Sequence, residues 1–171
     1  MPRVFLSLGS NLGDRRGYLD DARRQLGAEG MARVVACSPV YETEPWPEHR
    51  VSRDRWYLNQ VVEIETRLPP RRLLQLTQGI EARCGRLREP APRGEGYAPR
   101  TLDIDILFYG DQVISEHALQ IPHPLLHERR FILTMLADLD PAFEHPTLYQ
   151  PIGQLLAEVM DDDRGILPYR D

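Results

Sequence analysis

The sequence predicts an α+β fold of the ferredoxin-like type, with one domain over residues 1–171 and a mostly antiparallel sheet on which helices pack. Strand-like and amphipathic helical segments follow one another in the order β-α-β-β-α-β, which is the order of that fold. A chain of 171 residues is long enough to bury one substantial core. It contains no internal repeat and no linker that would divide it.

The first half of the chain supplies three strands and one helix. The helix is predicted from about Arg15 to Leu26, because Leu19, Ala22 and Leu26 fall on one face. A proline-rich, charged stretch at about 44–55 is predicted to be a flexible loop. The predicted strands are Arg3–Gly9, Ala32–Cys37 and Tyr57–Thr66.

The second half begins with a helix from about Pro70 to Cys84, whose apolar side is formed by Leu73, Leu74, Leu76, Thr77 and Ile80. A second flexible loop, rich in glycine, proline and charge, is predicted at about 86–98. A central strand then covers Pro99–Phe108, and a tight turn at Gly110-Asp111 leads to a hairpin partner at 112–114. The remaining predicted elements are a short edge strand at Leu119–Ile121, a helix over Arg129–Leu139 with Phe131, Leu133, Leu136 and Leu139 inward, a helix at about Ile152–Met160, and a polar tail at about 161–171.

The composition argues against nucleic acid and membranes as partners. The net charge of -5 disfavours binding to polyanions, and no apolar run approaches the roughly 20 residues of a membrane span. All 21 basic residues are arginine, so any bound phosphate would be held by guanidinium groups. Cys37 and Cys84 fit no metal or redox spacing, and two reduced, buried thiols in a cytoplasmic protein are expected.

Two aspartates in the strand predicted at Pro99–Phe108 are the first candidate site residues. Because side chains alternate along a strand, Asp103 and Asp105 share one face while Ile104 and Ile106 point to the other. Neighbouring carboxylates repel each other, and a divalent cation would offset that repulsion. The same alternation also fits an ordinary strand with a solvated face. The preceding Pro-Arg pair and the following apolar run favour a site at the end of a buried strand.

Arginines and aromatic residues add candidates for binding a nucleotide and a flat heterocycle, although each alone also fits a structural role. Asn59 can offer both a donor and an acceptor to a ring edge, and His123 is held between two prolines. The sequence has no lysine-containing P-loop, no Gly-x-Ser-x-Gly and no zinc spacing. The arginines that could close over a polyphosphate are Arg86, Arg88, Arg93 and Arg100, and the aromatic residues in or beside loops are Trp46, Tyr57, Tyr97 and Phe131.

Over nearly its whole length the sequence resembles the 6-hydroxymethyl-7,8-dihydropterin pyrophosphokinases, a folate-biosynthesis family that transfers diphosphate from ATP to a pterin alcohol. The matching stretches are SLGSNLGD, VYETEP, YLNQVVEIET, IEARCGRLR, PRTLDIDILFYG and IPHPLLHERRFIL. The segment APRTLDIDIL is close to the family signature. The resemblance implies a ferredoxin-like fold, mobile loops, and ordered binding in which ATP precedes the pterin.

The resemblance also implies a role for each matching residue. Asp103 and Asp105 would bind two Mg²⁺ ions and, with Arg86, Arg88 and Arg100, form the catalytic set. Tyr57 and Phe131 would sandwich the pterin. The implied ATP-binding residues are Leu74, Arg86, Tyr97, Arg100, Ile106, His123 and Arg129, and the implied pterin-binding residues are Thr43, Glu44, Trp46, Tyr57, Asn59 and Phe131.

Five positions depart from the family pattern. Gly96 stands where a basic residue is usual, and Tyr97 stands where a tryptophan is frequent. Ala118 and Pro124 replace an arginine and a tyrosine that some members place near the nucleotide. Trp46 is bulkier than the leucine of other members.

The expected reaction is in-line attack of the pterin hydroxyl on the β-phosphorus of ATP, with release of AMP, driven by positioning and charge stabilisation. The expected partners are ATP and 6-hydroxymethyl-7,8-dihydropterin, and the expected state is a cytoplasmic monomer. Three alternatives are a non-catalytic ferredoxin-like module that binds a regulatory nucleotide or pterin, an RNA-binding domain and a magnesium-dependent nuclease. The acidic balance opposes RNA binding. A nuclease would leave the set Tyr57, Asn59 and Phe131 without a role.

Overall fold

An antiparallel sheet forms the centre of the fold in a computed structural model that describes residues 1–28, 30–47, 50–86, 99–159 and 165–170. Six strands build this sheet in the order β5-β1-β4-β3-β8, with β2 also paired to β4, while β6 and β7 form a separate two-stranded sheet. All neighbouring pairs are antiparallel. The strands are β1 (Arg3–Ser10), β2 (Ala32–Cys37), β3 (Tyr41–Thr43), β4 (Tyr57–Thr66), β5 (Asp103–Tyr109), β6 (Ile114–Glu116), β7 (Leu119–Ile121) and β8 (Ile166–Pro168).

Helices cover both faces of the sheet. The helices are α1 (Arg15–Ala28), α2 (Pro70–Arg83), α3 (Arg130–Leu139) and α4 (Ile152–Glu158). Alternation along β1 directs Val4, Leu6 and Leu8 into a core with α1 and α2, and directs Phe5 into a second core with α3 and α4. Within the described ranges, no helix has the length and apolar character needed to cross a membrane.

The predicted fold class is confirmed. Setting aside the short β3, the order β1-α1-β2-β4-α2-β5 is the predicted one, and β2 and β4 have the predicted bounds. Leu19, Ala22 and Leu26 are the buried residues of α1. The periodicity of long elements therefore located them accurately.

Two predictions about the segment around β5 are wrong. The strand begins at Asp103 and lies at the edge of the sheet, not in its centre. The strand has the apolar sequence of a buried strand because helices cover both of its faces. Its outer edge is also partly covered, since His123 N–H donates to Leu107 O at 3.0 Å. The hairpin predicted after Gly110 is also absent from this position: residues 112–114 do not pair with β5, and the following strand β6 pairs with β7.

Burial differs from prediction at three side chains. Cys37 is exposed, because it points outward at the end of β2, where alternate residues face solvent, whereas Cys84 is buried as predicted. On α3, Phe131 and Leu139 are only partly buried. Leu133 and Leu136 are buried as predicted, but Ile132 and Met135 are buried beside them, so the inward face of the helix is shifted from the predicted one.

Candidate active site

The candidate site lies on the face of the sheet that carries α3, where three strands bring polar residues into register. Asn59 of β4 and Asp103 of β5 both pair with Gly9 of the central strand β1. Two residues earlier in β1, Ser7 pairs with Asp105. Directly opposed residues of antiparallel strands project to the same side, so these side chains face one pocket. Strand register, not sequence proximity, assembles the site.

Gly9 provides the space in which Asn59 lies. A Cβ atom on Gly9 would be 2.6 Å from Asn59 Oδ1, which is closer than atoms can pack. Glycine inside a strand marks a bulge or a close approach of another group, so the position of Gly9 in β1 is a sequence signal for this contact, although Gly9 was not predicted as a site residue. Ser7, which also lines the pocket, gave no signal.

Asp103 is held between two arginines. Arg100 Nη1 donates to Asp103 Oδ2 at 2.6 Å, and Arg86 Nη1 donates to Oδ1. The backbone of Arg100 is fixed in turn by Asn11, which accepts from Arg100 N–H at 2.8 Å and donates its own N–H to Arg100 O at 3.1 Å. The carboxylate that is predicted to bind a cation is therefore neutralised by two guanidinium groups.

Glu81 supports this arrangement and was not predicted from the sequence. Its side chain, 3% exposed, lies in the last turn of α2 and accepts a hydrogen bond from Arg86. The same oxygen, Oε1, accepts from the backbone N–H of Ile104 at 2.8 Å. Glu81 thus links the end of α2 to β5 and fixes the guanidinium of Arg86 beside Asp103.

Asp105 lies in an environment that disfavours its charged form. Burial, followed by repulsion from Asp103, raises the pKa of Asp105 to about 7. Its neighbour His123 has Nε2 4.0 Å from Asp105 Oδ2. Burial and the positive charge of Arg129 lower the pKa of His123 to about 4, so the imidazole is neutral at pH 7. Since Nδ1 accepts from Leu125 N–H at 3.3 Å, the Nε2 atom that faces Asp105 carries the proton.

The other end of the pocket has flat and amide-bearing walls. Asn59 Nδ2 donates to Thr43 Oγ1 at 2.5 Å, which fixes the orientation of the amide. Glu44 is buried, and its carboxylate accepts backbone hydrogen bonds, so its side chain is engaged with the protein. The residues that line the pocket are Ser7, Gly9, Thr43, Glu44, Pro45, Trp46, Tyr57, Asn59, Asp103, Asp105, Arg129, Phe131 and Ile132.

Arg129 interacts with residues at both ends of the pocket, since it contacts Trp46 at one end and its charge acts on Asp105 at the other. The residue is 9% exposed, and its guanidinium lies over the ring of Trp46 at 5.0 Å from the centroid. Among the residues that the structure describes, its Nε has no hydrogen-bond acceptor. A buried cation with an unmatched donor facing a pocket is suited to binding an anionic group there.

The structure does not bring every predicted residue to the pocket. Leu74 and Ile106 belong to the core on the α1–α2 face of the sheet. Arg88 and Tyr97, together with Arg93 and Gly96, lie outside the described residues. The predicted pterin-binding residues Thr43, Glu44, Trp46, Tyr57, Asn59 and Phe131 all line the pocket, as do Asp103, Asp105 and Arg129.

The carboxylate pair suits magnesium better than a metal that needs a full set of protein ligands. In the described part of the chain, no group of three or more His, Cys, Asp or Glu side chains could hold a metal ion. Mg²⁺ is commonly bound through one or two carboxylates, with water and substrate phosphates completing the octahedron. Asp103 and Asp105, on one face of an edge strand, fit that mode.

Comparison with known proteins gives consistent matches. Residues 5–141 match the family described as 7,8-dihydro-6-hydroxymethylpterin-pyrophosphokinase (HPPK). The chain is 40% identical over 141 residues to the 2-amino-4-hydroxy-6-hydroxymethyldihydropteridine pyrophosphokinase of Methylorubrum extorquens, covering 82% of this chain and 84% of the relative. The Bacillus subtilis protein of that name is 40% identical over 136 residues, covering 80% and 77%.

A solved structure is also similar to this chain. An HPPK-DHPS protein of Plasmodium falciparum superimposes with a TM-score of 0.70 at 17% identity, over 92% of this chain. This chain spans 45% of that solved chain. Similarity at this level of identity supports the fold alone.

Proposed function

Because the chain belongs to the 7,8-dihydro-6-hydroxymethylpterin-pyrophosphokinase family, we propose that it transfers diphosphate from ATP to the hydroxymethyl group of 6-hydroxymethyl-7,8-dihydropterin, a step of folate biosynthesis. One observation carries the proposal. Asp105 and the arginine-bound Asp103 lie at one end of a pocket whose other end presents Tyr57 and Asn59. Carboxylates suited to binding a cation and aromatic and amide groups suited to binding a heterocycle therefore line the same pocket.

In the proposed reaction the pterin hydroxyl oxygen attacks the β-phosphorus of ATP. A new O–P bond forms there, the bond from the β-phosphorus to the α,β-bridging oxygen breaks, AMP leaves with that oxygen, and the hydroxyl proton passes to water. Arg86 and Arg100 are placed to donate hydrogen bonds to the phosphate oxygens on which negative charge develops. Arg129, with its unmatched Nε, supplies a third guanidinium at the junction with the heterocycle end of the pocket.

We propose that Asp103 and Asp105 hold two Mg²⁺ ions together with the ATP phosphates. When bound, the ions neutralise phosphate charge and orient the attacking and leaving oxygens. Burial and repulsion from Asp103 raise the pKa of Asp105, and the nearby charges of Arg129 and Arg100 offset this only in part. A cation would favour its ionised form, so the local electrostatics support cation binding at this pair.

We propose that Asn59 recognises the edge of the pterin through a hydrogen bond. Its Nδ2 is engaged by Thr43, which leaves Oδ1 beside Gly9 as an acceptor for a ring N–H. Tyr57 and Phe131 supply aromatic surfaces for the ring. Because the carboxylate of Glu44 is occupied by backbone N–H groups, we propose that the segment Thr43–Trp46 contributes backbone groups to recognition.

We propose that the protein acts as a monomer in the cytoplasm. The described groups assigned to catalysis and pterin binding belong to a single chain, so the geometry requires no residue from a second copy. Cys37 and Cys84 form no disulfide with each other, consistent with a reducing compartment. Light scattering of the purified protein tests the oligomeric state.

The assignment of the carboxylates is tested by Asp103→Ala and Asp105→Ala. Each variant is expected to keep the circular dichroism spectrum of the wild type and to lose at least about a hundredfold in turnover, the cost of removing a key electrostatic group. Asp111→Ala is the matched control, because Asp111 is exposed in the turn after β5. Turnover near that of the control in either variant would contradict the metal assignment.

A further inference from the structure

The C-terminal strand β8 packs against the segment that forms the pterin end of the pocket. Ile166 of β8 pairs with Thr43 of β3. Immediately beyond this pair, Glu44 N–H donates to Gly165 O at 3.0 Å. The prediction of a polar tail at about 161–171 is wrong for these residues, because three of them pair with β3. A pocket residue is therefore hydrogen-bonded to a segment more than 100 residues away in the chain.

The carboxylate of Glu44 joins three segments. Its Oε1 accepts from Val51 N–H at 2.7 Å, and its Oε2 accepts from Gly165 N–H at 3.3 Å. Glu44 is buried, so both hydrogen bonds are shielded from water. The end of β3, the segment at Val51 and the start of β8 are consequently fixed to one another through a single side chain.

Gly165 also touches the residue that precedes an aromatic wall of the pocket. A Cβ atom on Gly165 would lie 2.0 Å from the ring of Trp56, so the backbone of Gly165 packs closely against the indole. Trp56 Nε1 donates to Val51 O at 2.9 Å, and Tyr57 follows directly in β4. Trp56 and Glu44 therefore converge on the same two partners, Val51 and Gly165.

We propose that Glu44, Trp56 and Gly165 form a clamp through which β8 positions Thr43–Trp46 and Tyr57 for the pterin. The inference rests on the proposed function and adds positioning residues to it. It concerns the pterin and not ATP, because β8 and β5 lie at opposite ends of the strand order β5-β1-β4-β3-β8. Asp103, the proposed cation ligand, lies in β5 and binds Arg86, so both residues are away from the clamp.

The variant Gly165→Ala tests the clamp in the full-length chain. The added methyl group must displace the ring of Trp56, and overpacking of this kind corresponds to a rise of about tenfold in the KM for the pterin. The KM for ATP and kcat are expected to stay within about twofold of wild type. Gly27→Ala is the matched control, since a Cβ on Gly27 meets nothing within 4 Å.

A second variant separates positioning from a general loss of stability. In a Trp56→Leu background the added methyl group has less to displace, so Gly165→Ala should raise the pterin KM less than it does in the wild-type background. An unchanged pterin KM, equal rises in both KM values, or the same effect in both backgrounds would each contradict the clamp. A wild-type chain that releases no AMP would contradict the proposed function instead, so the two failures are distinguishable.

Discussion

The variant Glu81→Gln tests whether a buried carboxylate outside the pocket organises the phosphate-binding end of the site. Oε1 of Glu81 accepts from Ile104 N–H at 2.8 Å and from Arg86. A hydrogen bond to a charged group contributes about 1.5–3 kcal/mol, and a neutral one about 0.5–1.5 kcal/mol. Glutamine keeps one carbonyl acceptor but loses the charge, so the free energy of unfolding should fall by about 1–2 kcal/mol.

The same substitution should affect catalysis. Arg86 keeps Asp103 as a partner but loses its anchor on α2, so the guanidinium is less well positioned for the phosphates. A fall of about tenfold in kcat/KM for ATP is expected, which corresponds to about 1.4 kcal/mol of transition-state stabilisation. The pterin KM should change little, because Glu81 is not among the residues that line the pocket.

Denaturant unfolding and steady-state AMP release measure the two effects. Glu116→Gln is the matched control, because Glu116 pairs with Arg71 on the surface, where ion pairs contribute little. For 171 residues the expected loss corresponds to roughly 3–6 °C in melting temperature. Stability and kcat/KM for ATP equal to those of the control would refute the role given to Glu81.

Two further substitutions test other parts of the structure. Gly9→Ala would place a Cβ 2.6 Å from Asn59 Oδ1, so the amide must turn away; the pterin KM should rise about tenfold in steady-state assays, and an unchanged value would contradict the role of Asn59. His145 is buried, which lowers its pKa to about 4 from 6.5. Between these values the unfolded state binds a proton that the native state does not, so acidification from pH 6.5 to 4 lowers the free energy of unfolding. His145→Asn keeps an acceptor for Thr147 N–H and Leu148 N–H and should reduce this pH dependence in denaturation experiments; an unaltered dependence would show that other groups cause it.

Long, periodic elements were predictable because their own side-chain pattern specifies them. Ten residues in β4 and fourteen in α1 carry enough apolar positions to identify the type of both elements; the bounds of β4 match the prediction, whereas α1 ends two residues later than predicted. The carboxylate pair was predictable for a similar reason, since strand alternation alone places Asp103 and Asp105 on one face. Local pattern was sufficient wherever the element is long or the residues are two apart.

Short elements and distant contacts could not be obtained in this way. The strands β3 and β8 have three residues each, too few for a period. β3 forms between β4 and β8, and β8 forms by pairing with β3. In the sequence, Glu81 is one of several polar positions on an amphipathic helix and does not stand out. It is buried only because α2 packs against β5. The edge position of β5 likewise depends on which strands pair, which its buried, apolar composition does not reveal.

The most direct test of the proposed activity is AMP release from ATP and Mg²⁺, measured with and without 6-hydroxymethyl-7,8-dihydropterin. We expect AMP only when the pterin is present, in an amount equal to the pyrophosphorylated pterin formed. Binding of ATP without pterin-dependent AMP would contradict it and would favour a non-catalytic nucleotide-binding module.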